Sequence, residues 1–101
     1  MKLDSTNFYD SISDGKVLVK FEASWCGPCR ALAPVINEVK NQFSNVKFEE
    51  YDVDTAYDEA TKYGIRSVPT IIIEKNGVEV DRFTGASSKL TYINALNEHL
   101  K

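Results

Sequence analysis

The sequence predicts an α/β fold in which a mixed central sheet carries helices on both faces. Apolar patterns of strand and helix period alternate along the chain in the order β-α-β-α-β-α-β-β-α. The run Val17-Leu18-Val19, continued by Phe21, is almost unbroken in its apolar character, as expected for a strand covered on both sides in the middle of a sheet. Asn76-Gly77 separates two further strand-like segments and marks a tight hairpin.

Taken in order, Leu3 and its neighbours predict a short edge strand. Asp4, Ser5 or Thr6 then caps a helix that carries Phe8 and Ile12 on one side and stops at Asp14-Gly15. Val17 to Ala23 is the next strand, interrupted by the charged Lys20 and Glu22. A helix from about Cys26 to Phe43 follows, with Leu32, Val35, Ile36, Val39 and Phe43 as its apolar stripe. Pro34 inside it cannot donate to the carbonyl of Arg30 and should bend it. Val46 to Val53 alternates as a second central strand. Thr55-Ala56-Tyr57-Asp58 approximates a capping box for a short helix that ends at Tyr63-Gly64. The β-branched run Ile71-Ile72-Ile73 forms the hairpin with Val78 to Phe83. Gly85 closes it, and Ser87 or Ser88 caps a last helix with the stripe Leu90, Ile93, Leu96, Leu100.

With 101 residues, ordinary apolar content and no internal repeat or linker, the chain reads as one domain, 1–101. A net charge of −3 with no basic stripe argues against a nucleic-acid partner. The beginning of the chain lacks the apolar core of a signal peptide and no stretch has the length of a membrane span, so a cytoplasmic location with no membrane partner is expected. The acidic set Glu49, Glu50, Asp52, Asp54, Asp58 and Glu59 lacks the glycine and terminal glutamate of a calcium loop and reads as a solvated strand end and helix start.

Both cysteines fall in Trp25-Cys26-Gly27-Pro28-Cys29, where strand gives way to helix. A dithiol at such a junction is a redox signature, because unpaired N–H groups and the positive end of the helix dipole favour a thiolate on the first sulfur. Cys26 is expected to be the exposed partner. Gly27 permits the tight turn, and Pro28 sits where its missing N–H costs little. A zinc site needs more ligands than the two sulfurs and His99 supply, so no metal is expected; His99 reads as a surface residue near a helix end.

From end to end the chain resembles the thioredoxin family. The motif Trp25 to Cys29 is accompanied, in the family's order and approximate spacing, by Pro34, Lys62-Tyr63-Gly64-Ile65-Arg66, Val68-Pro69-Thr70, Asn76-Gly77 and Gly85-Ala86. The resemblance implies the thioredoxin fold and a thiol-disulfide oxidoreductase that reduces disulfides in target proteins. Cys26 would attack the substrate disulfide and Cys29 would resolve the mixed disulfide. It further implies a cis Pro69 opposite the cysteines, and a docking surface of Trp25, Gly27, Pro28, Ile65, Val68, Pro69, Gly85 and Ala86. No cofactor is implied beyond the reversible Cys26–Cys29 disulfide, with electrons from NADPH arriving through thioredoxin reductase, and the protein is expected to be a monomer. The competing reading is a binding subunit or holdase of the same fold whose dithiol is dispensable.

Three residues depart from the family pattern. Lys20 stands where the family usually has a buried aspartate, and Glu50 where it has the lysine paired with it. A swapped Lys20–Glu50 ion pair is expected, since a buried charge requires a partner. The lysine would favour thiolate, and Glu50 through a water, or bulk solvent, would take the proton of Cys29. Glu22, where the family commonly has an aromatic residue, is expected to make the edge of the groove more polar.

Overall fold

In the computed structural model, which describes residues 2–3 and 15–99, the strands are β1 (Lys2–Leu3), β2 (Lys16–Glu22), β3 (Lys47–Asp52), β4 (Thr70–Lys75) and β5 (Val78–Thr84). The helices are α1 (Gly27–Gln42), α2 (Tyr57–Lys62) and α3 (Lys89–His99). One sheet of order β1-β3-β2-β4-β5 results. β1 and β2 run parallel to β3, whereas β4 is antiparallel to both β2 and β5. The predicted helix around Phe8 and Ile12 and the position of Leu100 lie outside the described residues.

β2 is central, as its composition predicts, and alternation assigns its side chains to two cores. Val17, Val19 and Phe21 join Tyr51, Ala56, Ala60 and Ile72 on the side of α2. Leu18 joins Leu32, Ile36, Val39, Ile71, Ile73, Tyr92 and Leu96 on the side of α1 and α3. Lys20 and Glu22 share the parity of Leu18, so both enter the space beneath α1, where they are 1% and 8% exposed.

The connections follow the turn chemistry. Asn76 (φ 54°) and Gly77 (φ 82°) both take left-handed backbone, as a two-residue hairpin turn requires. At the end of α2, Ile65 N–H donates to Ala60 O at 2.8 Å and Gly64 N–H to Thr61 O at 3.0 Å, a Schellman closure around the left-handed Gly64. The expected capping box before α2 does not form. Ala56 occupies the cap without a side-chain bond, because Asp52 organises the turn instead. Its carbonyl accepts from the N–H groups of Thr55 and Ala56, and from the Thr55 hydroxyl, which is thereby committed away from the helix; its carboxylate accepts from Asp54 N–H. Ser88 caps α3, its Oγ accepting from Thr91 N–H at 3.3 Å. The stripe expected on α3 is corrected at one position: Leu90 is 62% exposed, and Tyr92 is fully buried. Tyr92 meets Phe83 edge-on at 5.6 Å and accepts a hydrogen bond from Ser87 N–H at 2.9 Å, so an aromatic residue with a polar tip fills the place next to the loop. His99 is half-buried and pairs with Asp81 at 3.1 Å, tying the end of α3 to β5 rather than standing free at the surface.

β4 carries a buried carboxylate. Glu74 is 1% exposed, sits at an irregularity in the β4–β5 register, and leaves Oε2 without a hydrogen-bond partner. Burial raises its pKa above the ordinary carboxylate value, opposed by a hydrogen bond from the Tyr63 side chain and reinforced by the neighbouring Glu79. The folded state therefore holds this proton more tightly than the unfolded chain does. The cost of ionising Glu74 is absent below the unfolded pKa and grows as pH rises through the folded one. Glu74→Gln should accordingly raise stability at pH 7, by about 1 kcal/mol, and make little difference at pH 4. Urea denaturation at the two pH values measures it; an equal effect at both would contradict the assignment.

Candidate functional site

The site forms where β2 ends and α1 begins. Glu22 O still accepts from Val53 N–H at 2.9 Å, after which Ala23, Ser24 and Trp25 turn the chain, closed by Cys26 N–H to Ala23 O at 3.1 Å. Cys26 has extended backbone (φ −90°, ψ 112°) and is the N-cap of α1. Its sulfur accepts the N–H of Cys29 at 3.1 Å, taking the place that a serine or aspartate oxygen fills at an ordinary helix start. The first turn contains no acidic residue to neutralise the dipole, and Pro28 within it has no N–H to satisfy. Cys26 and Cys29 are joined as a disulfide, with Cα atoms 5.3 Å apart.

The expectation that Cys26 alone is exposed is not met: Cys26 and Cys29 are 4% and 3% exposed. Both sulfur-bearing residues pack with Ala23 against Val53 and Val68, which shields them alike in the oxidised state. What separates them is what each faces. Cys26 Sγ lies 3.7 Å from Val68 O, at the loop that precedes β4. Cys29 lines a cavity on the other side, with Lys20, Glu22, Arg30, Ala33 and Glu50.

The loop is fixed from several directions. The Val68–Pro69 bond is cis. Pro69 is buried, its carbonyl accepts from Gly85 N–H at 2.8 Å, and Thr70 Oγ1 donates to Ser67 O at 2.8 Å. Gly85 has φ +83°, a conformation open to glycine. Beside the disulfide, Trp25, Val53, Ile65, Arg66, Ser67 and Val68 line a shallow groove, with Trp25 67% exposed. An exposed tryptophan next to an apolar groove is the form a docking surface takes. The structure thus brings Trp25, Ile65 and Val68 together, and ties Gly85 to Pro69 behind them; Gly27, Pro28 and Ala86 are exposed. Val53, Arg66 and Ser67 join this groove without being expected there. Their signal is positional, since Val53 follows the last residue of β3 and Arg66 lies between two expected groove residues.

The predicted Lys20–Glu50 ion pair is corrected. Lys20 and Glu50 are register partners on adjacent strands, and Glu50 is half-buried along the same cavity. The Lys20 ammonium instead meets Glu22 Oε1 at 3.1 Å and donates to Cys29 O at 3.3 Å. Glu22 is two residues along the same strand and therefore on the same face, toward the end where α1 starts. By stretching that way Lys20 satisfies both a carboxylate and an otherwise shielded carbonyl. Glu22 accordingly sits beneath α1, not on the rim of the groove beside Trp25. Sequence held this signal in the i, i+2 spacing of the two charges.

Two sulfurs that close a ring across one helical turn, one of them seated on unpaired helix N–H groups, can exchange a disulfide with an incoming one. Among the described residues no group of three or more His, Cys, Asp and Glu side chains could hold a metal, and no helix is long and apolar enough to cross a membrane. Fold and site together define a dithiol-disulfide oxidoreductase. Comparison with known proteins agrees: the thioredoxin family model matches residues 1–98. Similar proteins include thioredoxin 1 of Synechococcus elongatus, 48% identical over 83% of this chain and 79% of that protein. Thioredoxin of Griffithsia pacifica is 42% identical over 95% and 91%, and that of Chlamydia caviae 38% over 96% and 95%. The chain belongs to the thioredoxin family. Members of the family carry electrons on the reversible active-site disulfide rather than on a bound cofactor, and work between reductases and disulfide-containing targets.

The corrected pairing makes a prediction. Lys20→Ala should cost on the order of 3–5 kcal/mol by removing the ammonium that meets the buried Glu22 carboxylate, and Lys20→Ala with Glu22→Ala should cost less than the sum of the two single changes. Glu50→Ala should instead add to Lys20→Ala within about 0.5 kcal/mol. Guanidinium titrations of the two cycles decide between the partners.

Proposed function

We propose that the chain is a protein-disulfide reductase in which Cys26 is the nucleophile and Cys29 the resolving thiol. The observation that carries this is the N-cap position of the Cys26 sulfur, 3.1 Å from the Cys29 amide, on a helix turn free of carboxylates. In the reduced protein the same amide and dipole favour the Cys26 thiolate. That thiolate attacks one sulfur of a substrate disulfide, forming a mixed disulfide and releasing the other sulfur as a thiol. Cys29 then attacks Cys26 Sγ, restoring the Cys26–Cys29 bond and releasing the second substrate thiol. Two electrons pass to the substrate in all.

Gly27, Pro28 and Pro69 shape this site, and Lys20 tunes it from beneath. Trp25, Ile65 and Val68, flanked by Gly85 and Ala86, form the surface on which an extended target segment lies. The backbone groups of Val68, whose carbonyl lies beside Cys26, would pair with that segment. Glu50, whose Cα pairs across the sheet with that of Lys20, remains a candidate acceptor for the Cys29 proton. Thioredoxin reductase, drawing on NADPH, is the proposed electron source. The proposed working unit is a monomer of one domain, 1–101, in the cytoplasm, a reading supported by a chain whose only two cysteines both serve the redox pair.

Cys26→Ser should abolish reduction of insulin disulfides in the presence of a reductase, whereas Cys29→Ser should accumulate a covalent complex with the target through Cys26. Retention of activity in Cys26→Ser, or equal trapping by either single variant, contradicts the roles. A protein that serves only by binding would keep its function in Cys26→Ser.

A further inference from the structure

We propose that Glu22 sets how strongly Lys20 acidifies Cys29, so that the buried pair controls the resolving step with two opposite signs. The inference rests on the dithiol reading above and names a residue outside the groove and outside the cysteine motif.

The geometry is specific. Lys20 and Glu22 are shut away beneath α1 and meet at 3.1 Å. The ammonium is the member of the pair that touches the redox segment, donating to Cys29 O at 3.3 Å. Cys29 itself is 3% exposed, so a charge held in this space acts through poorly screened surroundings. Lys20, Glu22 and Cys29 line one cavity together with the exposed residues Ser24 and Arg30.

The resolving step needs Cys29 as a thiolate. Its S–H bond breaks, the proton leaves into the cavity, to Glu50 or to solvent, and the sulfur attacks Cys26 Sγ; the new Cys26–Cys29 bond forms as the bond from Cys26 to the substrate breaks. A nearby cation lowers the pKa of Cys29 and a nearby carboxylate raises it. With both present, Glu22 holds back part of the effect of Lys20. The other charged groups at this place are Glu50 and Asp52 from β3, Asp52 being the register partner of Glu22, and Arg30 from α1, and Glu49 and Lys40 line the adjoining cavity. β4 faces Lys20 with Ile71 and brings no charge there. The two residues are therefore positioning groups for Cys29, and their removal should move its titration in opposite directions.

Reduced protein mixed with 5,5′-dithiobis(2-nitrobenzoate) separates the steps. The first thionitrobenzoate reports attack by Cys26, and the second reports attack by Cys29 on the adduct. The pH profile of the second release should shift down by about one unit in Glu22→Gln and up by about one unit in Lys20→Met, a tenfold change in rate on the acid limb in each case. Lys20→Met combined with Glu22→Gln should return toward the parent profile, Glu22→Asp should restore it, and the first release should change less than twofold. Should Lys20→Met fail to fold, the downward shift in Glu22→Gln and its rescue by Asp decide the matter. Shifts of the same sign, or unmoved profiles in a parent that releases two equivalents, overturn the control by Lys20 and Glu22 alone. A parent that releases a single equivalent overturns the dithiol reading and this inference with it.

Discussion

The junction between β2 and α1 imposes the constraint on which the rest of the molecule depends. A strand buried on both faces must stop, and a helix must start, within four residues, and the helix arrives with N–H groups that need acceptors. Cys26 supplies one with its sulfur, accepting from Cys29 N–H. Capping and catalysis are thus one interaction: the atom that completes the helix is the atom whose charge the helix favours. The cis Val68–Pro69 loop, the Gly85 hydrogen bond to Pro69 and the Tyr92 hold on Ser87 all bring other parts of the chain to this end of the sheet.

The two faces of the sheet serve different ends. On the α2 side, Phe21 stacks with Tyr51 at 5.7 Å and lies 6.2 Å from Tyr63, packing that ends close to the groove residue Ile65. The α1 side mixes a hydrocarbon core with the Lys20–Glu22 pair, placed where the core gives way to the dithiol. A buried ion pair is weak evidence for stability, because desolvation offsets the attraction. Its position against Cys29 gives it a functional reading instead.

Much of this was legible in the chain itself. The almost unbroken apolar run from Val17 to Phe21 revealed a central strand, Asn76-Gly77 a hairpin, Gly64 a helix stop, and the spacing of Cys26 and Cys29 a redox pair. Local rules suffice where one residue's backbone preference decides the outcome. They failed where groups compete for a partner. Thr55 was drawn to the Asp52 carbonyl and left the cap to Ala56. Lys20 had Glu50 across the sheet and Glu22 along the strand, and the nearby Cys29 carbonyl favoured the second. On α3, the stripe expected to begin at Leu90 begins instead at Tyr92, which packs edge-on against Phe83 while Leu90 faces solvent.

Ultraviolet titration of the reduced protein, with Cys29→Ala isolating the first thiol and the parent as reference, puts the central idea to its most direct test. A Cys26 thiolate favoured by the start of α1 predicts a midpoint in the parent well below the value of about 8.5 for a free cysteine. It also predicts that the Cys26 midpoint stays depressed in Cys29→Ala, which retains the amide that faces the sulfur. A parent midpoint at the free-cysteine value would contradict it, whatever the disulfide of the oxidised state shows.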